Sequence, residues 1–457
     1  MPQSTTLLRQ LGLYSASAIV VSNMVGTGIF TSTGFLAGQL GDPKLVLGIW
    51  VVGAALALAG AFCYSELGVN FPASGAEYVY LTRAYGPTWG FMSGWVSFFA
   101  GFSAPIAAAA IAFSRYLLDF FPALKQPHPY FAFPLGPYNL EFGRAQILAS
   151  GLILLFTVLN LFGVGFIARI QNTLTSVKLL VMAAFVVLGF AIGTGKWAYF
   201  SQPTARNVDT PLAVQFAISL FWIYVAYSGW NAATYVAEEV QKPERTLPLA
   251  LTFGTSLVAA LYFLFNILYI YATPLEGMKG VLAIGSPTAK ALFKPEMAAA
   301  FTLLWAVSLM STVNAMVTIG PRLYYAMAKN NAFLPRAAHV HPKWRTPVFA
   351  ILCQGVVASL MTLMDFGLLM VYIGALLNLF AGLAVASLFK FRRRAGWQKL
   401  AVVNFAWPLV PLVFVATGVW MTAIAIYFAT KVTLLAALTL ISGALVYRFV
   451  LAPRQVV

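Results

Sequence analysis

Twelve runs of mostly apolar residues recur along the chain, near 13–36, 45–66, 87–117, 146–167, 171–193, 211–236, 249–272, 298–322, 347–364, 366–389, 404–427 and 431–450. A helix needs roughly 20 such residues to cross about 30 Å of hydrocarbon at 1.5 Å per residue. The ninth run is the shortest. Because a bilayer core holds no water to satisfy free N–H and C=O groups, spans of this kind fold as helices. The fold class that follows is an all-α polytopic membrane protein with 12 transmembrane helices. Only 9% of the 457 residues are Asp, Glu, Lys or Arg, against roughly 25% in soluble domains, so these runs are not the cores of soluble domains. The first run is led by polar residues and followed by no small-residue cleavage site, so it is expected to remain as an anchor.

The formal charge is +16, but the basic residues lie scattered between the apolar runs. A nucleic-acid footprint would cluster on one face or element, so no nucleic-acid partner is expected and the lipid bilayer is. With the amino terminus placed inside, alternate loops collect 17 Lys and Arg on the inner side and 10 on the outer. Positive residues favour the cytoplasmic side, which predicts a multi-pass protein of the cell membrane with both termini cytoplasmic. Of the 28 basic residues, one fits no loop: Lys178, inside the fifth span.

Catalytic and metal chemistry find little here. Cys63 and Cys353 each sit in an apolar run as small hydrophobes, and His339 and His341 share a basic loop with no third ligand. No phosphate-cradling Walker pattern and no Ser/His/Asp or Cys/His constellation occurs. No cofactor, no metal and no enzyme activity are expected, and nothing specifies a membrane-protein partner.

Two spans carry breaks. The first contains Val25-Gly26-Thr27-Gly28-Ile29-Phe30, and the sixth contains Val225-Ala226-Tyr227-Ser228-Gly229-Trp230-Asn231. Glycine lowers the cost of leaving helical geometry, and backbone freed at that depth must be satisfied by protein, water or a ligand. The breaks lie five spans apart. Five is odd, so the second copy enters the membrane from the opposite face, giving a 5+5 inverted repeat: residues 1–197 carry the first five spans, 198–390 the second five, and 391–457 two extra helices. Where discontinuous helices meet at the midplane, half-helix amino termini attract a carboxylate and unwound carbonyls take a cation. A zwitterionic amino acid fits such a site.

With these residues in hand the chain resembles the amino acid–polyamine–organocation superfamily. The resemblance is carried by Gly26-Thr27-Gly28-Ile29-Phe30, Tyr64-Ser65-Glu66-Leu67-Gly68, Pro72-Ala73-Ser74-Gly75-Ala76-Glu77-Tyr78, and Glu238-Glu239 with Pro243 and Pro248. A further stretch, Pro321-Arg322 through Tyr325-Ala326-Met327-Ala328 to Leu334-Pro335, is similar to the cationic amino acid transporter branch, pointing to a bacterial homologue of it. The resemblance implies that a substrate carboxylate meets amides around Gly26, Thr27 and Gly28, in the stretch continuing to Ile29, with Met24 and Val25 supplying carbonyls. It implies that the α-ammonium meets carbonyls of Val225, Ala226 and Ser228, beside Gly229. The family often has an aromatic gate at the position of Val225, which leaves Tyr224, Tyr227 and Trp230 as alternatives.

Lys178 enters from the inner side near Gln171 and lies roughly 10 Å into the hydrocarbon. An intramembrane lysine costs several kcal/mol unless it snorkels, pairs or loses its proton. In the resembling family a lysine here stands where sodium-coupled relatives bind a cation against the first and eighth helices, which implies proton coupling. Glu66 is expected at the inner interface as a structural or gating contact. Glu77, Glu238 and Glu239 are expected on the inner side in solvated or inter-loop roles. The pocket for the substrate side chain is assigned to Ser97, Ser308, Thr312 and Asn378. No acidic residue lies in the middle of spans three, six, eight or ten, so a cationic head group would rest on hydroxyls, amides, carbonyls and aromatic faces. The expected function is proton-coupled uptake of cationic L-amino acids such as arginine, lysine and ornithine, with small neutral ones such as alanine accepted too. Three alternatives stay open: an exchanger, a broad neutral importer, and an amino-acid-sensing receptor or channel.

Overall fold

The structure, a computed structural model, describes residues 9 to 451 other than 10, 74, 127, 163 and 345. Ser74, named in the motif above, therefore lies outside the described residues, as do Arg345 and Arg454, two of the 17 basic residues counted on the inner side. Among the described residues eleven helices are long and apolar enough to cross a membrane: Leu13–Leu40, Pro43–Asn70, Pro87–Phe120, Arg144–Leu161, Arg169–Ile192, Leu212–Glu239, Pro243–Ala272, Pro295–Lys329, Phe366–Phe391, Leu409–Phe428 and Thr430–Leu451. Val348–Met361 is an apolar helix of 14 residues, the shortest run again. Its ends are tied to opposite faces of the bundle. Thr346 Oγ1 donates to Leu161 O at 3.1 Å, and Glu141 N donates to Leu363 O at 2.9 Å. We number these twelve helices as spans 1–12 and call the two sides the amino-terminal face and the opposite face.

The helices run past the hydropathy boundaries where polar residues continue them. Span 8 reaches Lys329 and span 2 reaches Asn70, because hydropathy marks only the lipid-immersed part of a helix. Local signals set the ends. At the start of span 2, Asp42 accepts from Lys44 N at 2.7 Å with Pro43 as the first helical residue. At the start of span 10, Asp365 accepts from Leu368 N at 2.9 Å. Span 2 packs on span 7, span 3 on span 8, and span 1 on span 7, which builds a buried centre. Spans 11 and 12 stand at the rim: 28% and 17% of their apolar windows are buried, against 78% for span 3.

Two features were not read from the sequence. A hairpin, β1 (Phe131–Leu135) and β2 (Tyr138–Phe142), pairs Phe131 with Phe142 and Leu135 with Tyr138 on the opposite face. On the amino-terminal face a short helix, Glu77–Tyr85, lies between spans 2 and 3 in the chain and packs against spans 3 and 10. That face also carries a buried ion pair. Glu66 receives Arg392 Nε at 2.6 Å and Nη2 at 2.5 Å, Trp397 Nε1 at 2.8 Å and Leu400 N at 3.0 Å. Every oxygen is engaged, as a buried carboxylate requires, and the end of span 2 is locked to the segment after span 10.

Candidate functional site

The first half of span 1 ends at Met24 and the second starts at Thr27. Between them Val25 (φ −72°, ψ 85°) and Gly26 (φ −128°, ψ −151°) leave helical geometry. Side chains from neighbouring spans satisfy the carbonyls exposed there: Tyr262 Oη donates to Met24 O at 2.6 Å, and Val25 O receives Lys178 Nζ at 2.7 Å and Thr312 Oγ1 at 3.3 Å. Lys178 is wholly buried and also donates to Thr312 Oγ1 at 3.0 Å. One ammonium thus ties span 5 to spans 1 and 8, at the carboxyl end of a half-helix, where the backbone dipole favours a cation.

Toward the amino-terminal face a chain of polar side chains continues from this point across spans 4, 5 and 8. Thr175 and Ser311 hydroxyls lie 3.2 Å apart, and Gln171 Nε2 donates to both at 3.0 and 3.1 Å. Asn314 Nδ2 donates to Gln171 Oε1 at 2.7 Å, Asn160 Nδ2 to Asn314 Oδ1 at 3.2 Å, and Thr318 Oγ1 to Asn160 Oδ1 at 2.8 Å. Buried amides and hydroxyls linked in this way rigidify the helices that carry them, here those that hold Lys178 in place.

Span 6 breaks after Tyr227. Ser228 is extended (φ −56°, ψ 148°), Gly229 has φ +97°, and the chain resumes as a 3-10 segment at Ala232. Ser228 turns back, its N and Oγ reaching Val225 O at 3.0 and 2.7 Å. Gly229 is required twice over: its left-handed backbone disfavours L side chains, and a Cβ there would fall 2.7 Å from Asn23 C. Across the same junction a Cβ on Gly28 would overlap the backbone of Ala226. The two breaks are in direct contact, and their glycines permit it.

On the amino-terminal side of this junction lies a cavity of about 90 Å³, several times the volume one water needs. Ser228, Gly229, Trp230, Asn231 and Tyr235 of span 6 line it, with Asn23 of span 1, Ser97 and Gly101 of span 3, Leu377 of span 10, and Glu77. Ser97 and Gly101 lie in a π-helical turn, Ser97–Ser103, a widening often found at functional sites.

Of the residues assigned to the substrate site from the sequence, Ser97, Tyr224, Ser228, Gly229 and Trp230 line this cavity, with Glu77 and Asn231 beside them. Gly26, Thr27, Gly28 and Ile29 are buried away from its lining. The Met24, Val25 and Val225 carbonyls are engaged as described, and Ala226 packs on Gly28. Tyr227 donates to Trp50 O at 3.1 Å, and Thr312 faces Lys178. Ser308 bonds back to Leu304 O at 2.8 Å, and Asn378 Nδ2 donates to Gly418 O of span 11 at 2.9 Å.

Glu77 is a correction. It is not a solvated loop residue but 7% exposed, with Oε1 accepting from Tyr64 Oη at 2.8 Å and Asn231 Nδ2 at 2.6 Å. The turn before its helix brings this about: Gly75 has φ +114° and Ala76 φ +42°, and Gly75 N donates to Tyr235 O at 3.3 Å. The loop is thereby folded under span 6. Burial pushes the Glu77 carboxyl above the usual carboxylate range.

These features define a class: a polytopic helical membrane protein with a cavity against two touching helix breaks, one held by a buried lysine. The chain belongs to the amino acid permease family, whose model matches residues 11–447, and with it to the amino acid–polyamine–organocation superfamily. It is similar to the large neutral amino acids transporter small subunit 2 of Homo sapiens, at 29% identity over 89% of this chain and 74% of that one. It is similar to the serine/threonine exchanger SteT of Bacillus subtilis (strain 168), at 27% over 90% and 89%. A third relative is the Asc-type amino acid transporter 1 of Mus musculus, at 28% over 90% and 76%. The family is one of transporters and not of enzymes.

Proposed function

We propose that the chain is a secondary active amino acid transporter working by alternating access about the breaks in spans 1 and 6. In this reading the spans of residues 1–197 and 198–390 form the inverted repeat, and 391–457 stands outside it. The amino end of the half-helix starting at Thr27 takes the substrate carboxylate, and the broken backbone of span 6 takes the α-ammonium. The amino-terminal face is cytoplasmic, on the bias of basic residues toward it, so the cavity is the inner part of the pathway.

The observation that carries this reading is the buried Lys178 ammonium on the Val25 carbonyl. A lysine joining spans 1, 5 and 8 holds the break while charged and loosens it when its proton leaves, which links substrate movement to a proton gradient. For the substrate, the names of the relatives support neutral side chains. A second reading, cationic L-amino acids such as arginine, lysine and ornithine, is supported by the carboxylate of Glu77 in the cavity wall.

The test is uptake of labelled alanine, serine, arginine and lysine into liposomes holding the purified protein, with and without an inward proton gradient. Saturable uptake driven by the gradient supports the reading. Uptake that requires an internal amino acid supports exchange, as SteT is named for. Flux without saturation would make the protein a channel, and binding without flux a receptor.

A further inference from the structure

Glu77 has one carboxylate oxygen that makes no hydrogen bond of good geometry within the fold. Oε1 holds the Tyr64 hydroxyl and the Asn231 amide, while Oε2 is buried with no partner of hydrogen-bonding geometry; the Tyr235 hydroxyl lies beside the carboxyl group. The carboxylate lines the same cavity as Ser228 and Gly229, and Asn231, two residues beyond Gly229, bonds it directly. The groups around it are the phenols of Tyr64, Tyr80, Tyr224 and Tyr235, and no ion pair to Glu77 occurs among the described residues. Glu66, eleven residues earlier at the end of span 2, shows how this fold treats a carboxylate that holds helices together, with both oxygens filled by Arg392. An unfilled buried oxygen on a cavity wall is an acceptor kept for something that enters the cavity.

We propose that Glu77 is an ammonium subsite, and that it receives the side-chain ammonium of a diamino acid whose α-amino acid end lies at the span 6 break. The assignment rests on reading this cavity as part of the amino acid pathway, and deepens that reading by naming the group that recognises a second positive charge. A cation beside the carboxylate favours its ionised form, and a charge-assisted hydrogen bond to a buried carboxylate is among the stronger polar contacts.

The test compares matched pairs that differ by one amine: 2,4-diaminobutyrate with 2-aminobutyrate, ornithine with norvaline, and lysine with norleucine. Each is scored as a competitor of labelled alanine in liposomes and, separately, by its shift of the thermal unfolding of purified protein in detergent. The wild-type chain is expected to favour the diamino member of at least one pair about tenfold or more. Glu77→Gln, which keeps the shape and an acceptor for Tyr64, is expected to bring that ratio to about one. A wild-type ratio near one in every pair, or a ratio unchanged in Glu77→Gln, would overturn the assignment. If no amino acid is taken up at all, the transport reading fails, and the thermal-shift ratios still decide the role of Glu77.

Discussion

The two helix breaks lie beside buried titratable groups of opposite kind, a lysine at span 1 and a carboxyl at span 6. At span 1 the exposed carbonyls are covered by donors: Lys178, Thr312 and Tyr262 fill Val25 O and Met24 O. At span 6 the chain covers its own carbonyl, Ser228 folding onto Val225 O, and the buried titratable group is the Glu77 carboxyl one side chain away, bonded to Asn231 with one oxygen making no hydrogen bond of good geometry. The first break is closed by protein alone, while the second is left with room and an acceptor. In the proposed mechanism that difference gives them separate work: span 1 is the hinge that Lys178 clamps, its second half offering an amino end to the substrate carboxylate, and span 6 is the wall against which the rest of the ligand lies.

The most severe way to disturb this pairing is to force the breaks apart. Gly28→Val places branched carbon where the Ala226 backbone lies, and uptake in liposomes should fall to background while the protein still inserts. Retained uptake would mean that the contact is not needed. Gly229→Ala combines a strained left-handed backbone with a collision at Asn23, so thermal or denaturant unfolding in detergent should show a loss of about 2 kcal/mol, whereas a neutral effect would argue that span 6 bends elsewhere. Removing the polar chain behind Lys178 should act less. Asn314→Leu strands the Gln171 and Asn160 amides, expected to cost about 1.5 kcal/mol and to blunt the pH dependence of uptake. An unchanged pH profile would make the chain a purely structural strap.

The smallest effect concerns Glu77. Its carboxyl is raised by burial, so the folded protein keeps a proton there that the unfolded chain has released. Stability should then fall as pH climbs from the ordinary carboxylate range through the raised one, and Glu77→Gln should lack that part of the slope. Thermal unfolding across this range measures it; identical slopes would show that Glu77 is no more shifted than a surface carboxylate. Ornithine binding should tighten over the same interval, because the ionised carboxylate is the form that holds an ammonium.

How much of this was legible in the sequence depends on which signal carried it. The spans were readable because about 20 apolar residues have one use in a bilayer, and the breaks because Gly26, Gly28 and Gly229 interrupt apolar helices with polar neighbours. Lys178 announced itself as a charge that no loop could take. Glu77 did not: it sits in a polar stretch outside any span, and nothing in hydropathy distinguishes a loop in solvent from one tucked beneath a broken helix. The clue present was the Gly75-Ala76 turn, whose positive φ values place Glu77 inward. Ser308 and Asn378 failed to reach the cavity for a related reason. Small polar groups in membrane helices bond their own turn or the next helix, and a sequence does not say which face of a span that will be.

The central claim is that the lysine clamping the first break links substrate movement to protons. Its direct test is concentrative uptake of labelled alanine or arginine into proteoliposomes driven by an inward proton gradient alone, with wild-type protein beside Lys178→Ala. The account predicts accumulation by the wild type and, in Lys178→Ala, at most equilibration with no response to the gradient. Accumulation by Lys178→Ala under the same gradient would contradict it.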